Sequence, residues 1–270
     1  MIRLRDALTT MVVALDTETT GTDPETARLV QVCTGWSTGP GDWHPSTAIV
    51  ATEVPDEAAK IHGITTEQAM THGKPLADVI PTVLDLLAKS AAKSVPIVGH
   101  NIVYDLTLLD REAIRCGRPG VPASLIVLNT LVLGRRIDKM TGGNRLESIA
   151  RRNGITLNAH RADEDALASL KLLHALVDID DMLGMAHVED LHAAQVGWYY
   201  AQVQAAEYKR RGNGYAASEP NTDWPVILPT GGAWPHDRHL CRPPPEGAPD
   251  RVRASPCRRA DRLRGHHPSP

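Results

Sequence analysis

The order of apolar segments along the chain constrains its fold more than any other feature. Extended, strand-like patterns cover residues 11–15, 28–36, 48–52, 95–98 and 125–128. Helical periodicity covers residues 65–71, 76–89, 102–115, 146–152 and 162–177. Strands adjacent in sequence can form an antiparallel meander, whereas strands separated by helices pair in parallel. The order therefore predicts an α/β fold, with a mixed five-stranded sheet flanked by helices.

The carboxyl-terminal part of the chain differs in composition from the rest. Residues 187–211 predict one more long helix, whereas residues 235–270 are dense in Pro, Arg, Gly and His. A segment with so few large apolar residues cannot bury a core. We therefore expect a domain at residues 1–180, a helical extension at 181–212 and a disordered tail at 213–270.

Charge and cysteine content restrict the class of protein. The chain has 270 residues and a formal net charge of -3, which argues against a protein that coats long nucleic acids through a wide basic surface. An enzyme that holds only a strand end is not excluded. The four cysteines are far apart, so a disulfide framework is not expected. The sequence shows neither a signal peptide nor an apolar run of membrane length. We therefore expect a cytoplasmic protein without membrane contact.

Two histidines and two cysteines near the carboxyl end could be interpreted as zinc ligands. They are His236, His239, Cys241 and Cys257. Their spacing fits none of the common zinc patterns, so a zinc site is the less favoured interpretation of this segment.

Two acids close the first predicted strand. Asp16 and Glu18 are two residues apart, so on a strand their side chains point to the same face. The pair can share a divalent cation, or it can be a solvated pair where a strand meets a loop. The polar turn Thr19-Thr20-Gly21 follows and would allow a ligand to approach the backbone.

Two further acids begin predicted helices. Asp105 follows a strand that ends in His100 and Asn101, and Asp165 lies in a first turn preceded by His160. Each acid alone can be explained as favourable charge at a helix amino terminus. Ligands of open α/β sheets bind at the carboxyl ends of strands, so the predicted fold can bring these residues to one rim.

These residues resemble the three motifs of the DEDDh exonucleases, a family that includes the proofreading epsilon subunit of bacterial DNA polymerase III. The matching segments are Asp16-Thr17-Glu18-Thr19-Thr20-Gly21, His100-Asn101-x-x-Tyr104-Asp105 and His160-x-x-x-x-Asp165-Ala166. The segment Ile61-His62-Gly63-Ile64-Thr65 is also similar to one common in that family. The resemblance spans residues 12–177, with the motifs in the family's order.

The resemblance implies a ribonuclease-H-like fold and two divalent cations, Mg²⁺ or Mn²⁺. By matching position, it implies that Asp16, Glu18, Asp105 and Asp165 hold the ions and that His160 is the general base. It also implies contacts to the terminal nucleotide from the polar turns, at Thr19, Thr20, Gly21, His100 and Asn101.

Three positions bear on the subtype and on departures from the family pattern. A sister subfamily has Tyr where this chain has Arg161, so the histidine type is the one matched. Tyr104 stands where many members have Phe, and Asn129 stands where many have Asp. That Asp is not one of the four ligands, so little catalytic effect is expected.

The resemblance predicts a 3′→5′ exonuclease that releases nucleoside monophosphates from DNA in proofreading or repair. Its partner would be a nucleic-acid 3′ end, with DNA favoured over RNA, and a polymerase or repair complex is a second candidate partner. The alternatives are an exoribonuclease on short RNA, an endonuclease on the same fold, and a nuclease-like docking module. All five expected active-site residues are present, which disfavours an inactive module.

Overall fold

The computed structural model describes residues 1–137, 145–157, 160–216 and 221–228. The strands are β1 (Val12–Thr19), β2 (Leu29–Gly39), β3 (Asp42–Ile49), β4 (Ile97–Gly99) and β5 (Val127–Asn129). The helices are α1 (Leu4–Thr10), α2 (Asp56–His62), α3 (Thr66–His72), α4 (Leu76–Ala92), α5 (Val103–Arg115), α6 (Thr130–Ile137), α7 (Leu146–Arg152), α8 (Ala162–Ile179), α9 (Asp181–Met185) and α10 (Val188–Gly212).

The five strands form one sheet in the order β3-β2-β1-β4-β5. β2 runs antiparallel to β1 and to β3, whereas β1, β4 and β5 run parallel. This mixed sheet with flanking helices is a ribonuclease-H-like fold, so the predicted fold class is confirmed. β1 lies at the centre, where both of its faces are covered.

Alternate side chains of β1 face two different helical layers. Val13 and Leu15 pack in a core cluster with residues of α4 and α5. Ala14 packs in a second cluster with residues of α1 and α8. Because side chains alternate along a strand, Asp16 and Glu18 continue the side of Ala14, toward α8.

The third strand was placed wrongly by the sequence pattern. It was predicted at residues 48–52, but β3 begins at Asp42 and ends at Ile49. It forms a hairpin with β2 in which Gly39 pairs with Asp42, and Gly41 takes a positive φ of 83°. β3 is an edge strand with an exposed middle, so it lacks the apolar alternation by which strands are recognised.

Several short helices were not predicted. The helices α1, α2, α6 and α9 have seven, seven, eight and five residues. Helical periodicity is weak in elements shorter than roughly 11 residues, so these four were missed, although α3 and α7, of seven residues each, were predicted. The longer helices begin and end within two residues of the predicted positions, except that α4 ends at Ala92, three residues later than predicted.

The predicted helical extension packs against the sheet. The helix α10 contacts β5 and α6. Its Trp198 and Tyr199 pack against the core. The guanidinium carbon of Arg136 lies 5.7 Å from the centre of the Trp198 ring. None of the described helices is long and apolar enough to cross a membrane.

Part of the range assigned to a disordered tail is ordered. Within 213–270, the described residues 221–228 pack on the domain, with Trp224 fully buried and Val226 2% exposed. The amide of Ile227 donates to Thr107 Oγ1 at 2.9 Å, and Arg111 Nη2 donates to the Ile227 carbonyl at 2.7 Å. Composition averaged over a long segment cannot detect an anchor made by a few apolar residues.

We expect Trp224→Ala to lower the free energy of unfolding by about 3–5 kcal/mol, because it removes a fully buried aromatic side chain. Urea denaturation measures this change. The control is Trp36→Ala, since Trp36 is 39% exposed and stacks on His44, and its expected cost is about 1 kcal/mol. Equal losses in the two variants would show that residues 221–228 do not anchor the domain.

Candidate active site

Three of the predicted acids meet at one end of the sheet. Asp16 and Glu18 extend from β1, and Asp165 lies in the first turn of α8, which packs over that face. One carboxylate oxygen from each lies within 4.8 Å of the others. The predicted shared face of the two strand acids is therefore observed, with the acid of α8 opposite them.

The fourth acid lies beside this group but not within it. Asp105 is in the first turn of α5, on the other side of β1, and is 5% exposed. Its Oδ1 accepts a hydrogen bond from Thr17 Oγ1 at 2.6 Å. Its charge also acts on Asp16 and Glu18, raising the pKa of both. Thr17 was assigned no role by the sequence analysis; its position between the two strand acids, on the opposite face, was the available signal.

The two strand acids resist ionisation. Burial raises the pKa of Asp16 well above its usual value, and the neighbouring carboxylates of Asp105, Asp165 and Glu18 raise it further. Burial likewise raises the pKa of Glu18 to about 8, with added repulsion from Asp165 and Asp105. Glu18 therefore holds its proton near neutral pH unless a positive charge stabilises the ionised form, and the same causes disfavour ionisation of Asp16.

The two helix acids are partly stabilised by hydrogen bonds. Burial raises the pKa of Asp105 to about 7, although the hydrogen bond from Thr17 opposes the rise. Burial raises the pKa of Asp165 to about 6, opposed by the backbone N–H of His160, which donates to Asp165 Oδ2 at 3.0 Å. These donors favour the charged carboxylates, so the helix acids ionise more readily than Glu18.

A divalent cation fits the donor set at this site. Asp165 Oδ1 is buried and accepts no hydrogen bond within the described ranges. It belongs to the residue that opposes Asp16 and Glu18, and hard cations bind clustered carboxylate oxygens of this kind. Asp16, Glu18 and Asp165 are the residues that would hold the cation directly.

His160 lies at the rim of the acidic group. Its backbone has a positive φ of 66°, which lets its amide point toward Asp165. The imidazole is 53% exposed, and its Nε2 lies 3.9 Å from Glu147 Oε1 of α7. The ring is therefore open to solvent beside the acids, while residues 158–159 just before it lie outside the described ranges.

The turn after β1 is held by a tyrosine of α5. Thr19 Oγ1 donates to the Gly21 carbonyl at 2.7 Å and lies 3.0 Å from the Tyr104 hydroxyl. Tyr104 also donates to the Gly21 carbonyl. Thr20 Oγ1 accepts from the Arg28 amide at 2.8 Å. The hydroxyl that distinguishes Tyr104 from Phe thus fixes the turn that carries three predicted substrate contacts.

A buried ionic network fastens the rest of this loop to α5. Glu112 is fully buried, and its Oε1 accepts from Arg28 Nε at 2.9 Å and from the Leu29 amide at 3.0 Å. Arg111 Nε donates to both carboxylate oxygens of Glu25. Glu112 also pairs with Arg115 of the same helix at 3.3 Å. Shifting the loop would therefore break several charge-assisted hydrogen bonds to α5, which favours the docked position.

The turn between β4 and α5 carries the other two predicted contacts. His100 Nδ1 lies 3.0 Å from Thr130 Oγ1. Asn101 has a positive φ of 61°, and its amide donates to Asn129 Oδ1 at 3.0 Å. Because β4 runs parallel to β1, this turn lies at the carboxyl-terminal end of the two strands, where the acids are.

His62 belongs to the resembling segment 61–65, for which the sequence analysis named no role. It is 8% exposed and follows α2 into the turn at Gly63. Burial lowers the pKa of His62; the Thr19 backbone opposes this and the nearby charge of His160 adds to it. Segment 61–65 therefore reaches the same site.

The zinc interpretation of His236, His239, Cys241 and Cys257 concerns residues outside the described ranges.

Comparison with known proteins agrees with this geometry. The RNase T exonuclease family model matches residues 13–173, which is more than half of the chain and includes all four acids and His160. The chain belongs to this exonuclease family.

Individual relatives share parts of the exonuclease chain. The DNA polymerase III subunit epsilon of Treponema pallidum (strain Nichols) is 26% identical over 169 residues, covering 61% of this chain and 75% of that protein. A protein of Mycobacterium tuberculosis (strain CDC 1551 / Oshkosh) named as a bifunctional exonuclease/endonuclease is 34% identical over 128 residues, covering 46% of this chain and 19% of that protein.

Solved structures share the fold. E. coli exonuclease I in complex with a dT13 oligonucleotide superimposes with a TM-score of 0.53 at 22% identity, over 63% of this chain and 41% of that chain. Since this exonuclease spans less than half of exonuclease I and about a fifth of the M. tuberculosis protein, their complete activities do not transfer to it.

In the absence of metal, we expect the free energy of unfolding to fall as pH rises from about 5 to 8. The raised pKa values mean that the folded site holds protons which the unfolded chain has already released, so ionisation destabilises the fold through this window. Urea denaturation across this pH range tests the fall. Glu18→Gln should flatten it, whereas Glu57→Gln, at an exposed position of α2, should not.

Mg²⁺ or Mn²⁺ should raise the melting temperature of the wild-type protein, because it binds only the folded carboxylate cluster. Calorimetry with and without chelator measures the shift. Asp16→Asn should lose most of it, since one charged ligand becomes neutral. An unchanged shift in Asp16→Asn would place metal binding elsewhere.

Proposed function

We propose that this exonuclease is a DEDDh-type, metal-dependent 3′→5′ exonuclease that degrades DNA to nucleoside monophosphates. The observation that carries the proposal is the carboxylate group itself, with Asp16, Glu18 and Asp165 within 4.8 Å and Asp105 adjacent. The exposed imidazole of His160 at its rim supplies the fifth residue of the type.

Each residue has a task in phosphodiester hydrolysis. A pair of divalent cations, when bound, would favour deprotonation of the attacking water and stabilise charge on the leaving 3′ oxygen. Asp16, Glu18 and Asp165 would hold the cations, with Asp105 completing the set. His160, open to solvent, would accept the proton of the water, as imidazoles can near neutral pH.

The polar turns favour action at a strand end. The turn at Thr19 and the turn at His100 and Asn101 follow the carboxyl-terminal ends of β1 and β4, where the acids lie. Contacts from both turns to a terminal nucleotide would place its phosphodiester over the carboxylates. An endonuclease would instead need an open path on both sides of the acids.

DNA is proposed as the substrate, in proofreading or repair, because two relatives are DNA enzymes by name. One is a DNA polymerase III subunit, and the other was solved with a dT13 oligonucleotide. A polymerase or repair complex is accordingly a proposed partner. Short RNA is the alternative substrate.

A basic stretch of the sequence supports a nucleic-acid ligand. Residues 130–161 contain six arginines and one lysine but only two acids, although the net charge of the chain is -3. Arg145, the N-cap residue of α7, and Arg151 within the helix are exposed, and Glu147 of the same helix lies beside His160. Arg151 follows Glu147 by four residues and so shares its helix face. A strand leaving the site can contact this face through its phosphates.

Incubation with 5′-labelled single-stranded DNA and RNA, with Mg²⁺, Mn²⁺ or chelator, tests the reaction. We expect a metal-dependent ladder that shortens from the 3′ end. His160→Ala should lower the rate by roughly 10² to 10⁴, the range for loss of a general base. Asp16→Ala should lower it further.

The matched control for the histidine variant is His72→Ala, at an exposed position of α3, which should keep the wild-type rate. A full-rate Asp16→Ala enzyme, or a ladder unchanged by chelator, would refute the proposal. A faster reaction with RNA than with DNA would transfer the proposal to the exoribonuclease alternative.

The double variant Arg145→Glu/Arg151→Glu should raise KM for long single-stranded DNA and weaken its salt dependence, because two phosphate contacts are lost. Cleavage of a dinucleotide, whose single phosphodiester would lie over the acids, should be affected less. The control Lys89→Glu/Lys93→Glu makes the same change in charge at the carboxyl end of α4, a helix that packs on the other face of the sheet. Equal effects of both double variants would exclude α7 as the strand path.

A further inference from the structure

Asn129, at the end of β5, joins two segments through one atom. It is fully buried. Its Oδ1 accepts from the Asn101 amide at 3.0 Å and from the Leu131 amide at 3.1 Å. The first bond holds the turn between β4 and α5, and the second caps the first turn of α6.

The turn that Asn129 holds is strained. Asn101 has a φ of 61°, in the left-handed region that costs energy for any residue other than glycine. Asparagine tolerates this region better than most residues, but the conformation persists only when surrounding contacts fix it. The bond from the Asn101 amide to Asn129 is such a contact.

Asn129 is itself fixed by the helix α10. Gln195 is fully buried, and its Oε1 accepts a hydrogen bond from the Asn129 amide at 2.8 Å. It also donates through Nε2 to the Val127 carbonyl at 2.9 Å. Gln195 therefore bonds to both ends of β5 as a neighbouring strand would. A chain of hydrogen bonds runs from α10 through Asn129 to Asn101.

We propose that Asn129 is a positioning residue that holds the His100–Asn101 turn in its binding conformation through its amide oxygen alone. The other polar atom of its side chain, Nδ2, is buried and has no hydrogen-bond partner within the described residues. Only the acceptor is used. The inference rests on the proposed function, because that function gives the turn its contact with the terminal nucleotide.

This use of the acceptor predicts which substitutions are tolerated. Aspartate supplies the same oxygen, receives the same two backbone donors, and places negative charge at the amino terminus of α6, where it is favoured. Serine also caps helices well. Its shorter side chain keeps the acceptor near Leu131 but withdraws it from Asn101.

The test compares Asn129→Ser with Asn129→Asp in the full chain, using 5′-labelled single-stranded DNA with Mg²⁺. Asn129→Ser should raise KM about tenfold, the equivalent of one lost buried hydrogen bond, with kcat within about threefold of wild type. Asn129→Asp should stay within about threefold in both constants. A merely structural role would lower the melting temperature of Asn129→Ser and leave KM unchanged.

Hydrogen exchange gives a readout that does not require activity. The Asn101 amide should exchange at least tenfold faster in Asn129→Ser than in wild type, and at the wild-type rate in Asn129→Asp. The matched control is Gln202→Ala, which removes an α10 side chain that donates to the Val132 carbonyl and has no contact with the turn. It should change neither KM nor the exchange of Asn101.

The outcomes separate the inference from the proposed function. If Asn101 exchange rises in Asn129→Ser while wild-type protein leaves DNA intact, the proposed function fails and the positioning role stands. If Asn129→Asp resembles Asn129→Ser in exchange and KM, the acceptor is not what matters and the inference is overturned. Unchanged Asn101 exchange in Asn129→Ser would overturn it equally.

Discussion

Repulsion among buried carboxylates is the constraint on which the rest of the site depends. Every cause acting on Asp16 and Glu18 raises the pKa, so neither acid is stabilised in its ionised form by the protein around it. Asp105 and Asp165 each receive at least one compensating hydrogen bond. The ionised strand acids therefore need a neighbouring positive charge. Asp165 Oδ1, which has no hydrogen-bond partner among the described residues, faces the same need. A site built in this way is suited to cations and is unfavourable without them.

Holding such a site open requires a rigid frame, and α5 provides much of it. Its first turn contributes Asp105 to the acids and Tyr104 to the turn at Gly21. Further along the helix, Glu112 and Arg111 fix the loop that follows that turn. One helix thus sets the spacing between the acids and the polar turn. Glu112 pairs with Arg115 of the same helix, and the docked loop adds hydrogen bonds from Arg28 and Leu29, so the ionic network favours a single position of the loop.

The sequence revealed those parts of the site whose geometry is local. Alternation along β1 was enough to place Asp16 and Glu18 on one face, and helix starts were enough to locate Asp105 and Asp165. Contacts between distant residues were not visible: Thr17 and Asp105 are 88 residues apart, and Asn101 and Asn129 are 28 apart. Neither pair shows a periodicity or a charge pattern. The position of β3 was predicted wrongly for a different reason, since an exposed edge strand carries no apolar alternation.

The edge strand β5 shows why the helical extension matters to the exonuclease domain. A domain cut at residue 180, as the sequence predicted, would leave the outer edge of β5 with unpaired backbone groups. Side chains of α10 satisfy them: the Val127 amide donates to His192 Nδ1 at 3.0 Å, beside the bonds of Gln195. Burial lowers the pKa of His192 to about 4, which keeps the ring neutral and its Nδ1 able to accept. Because β5 ends in Asn129, the helix that protects this edge also fixes the turn at Asn101. The hydrogen bonds that shape the site therefore cross the predicted boundary at residue 180.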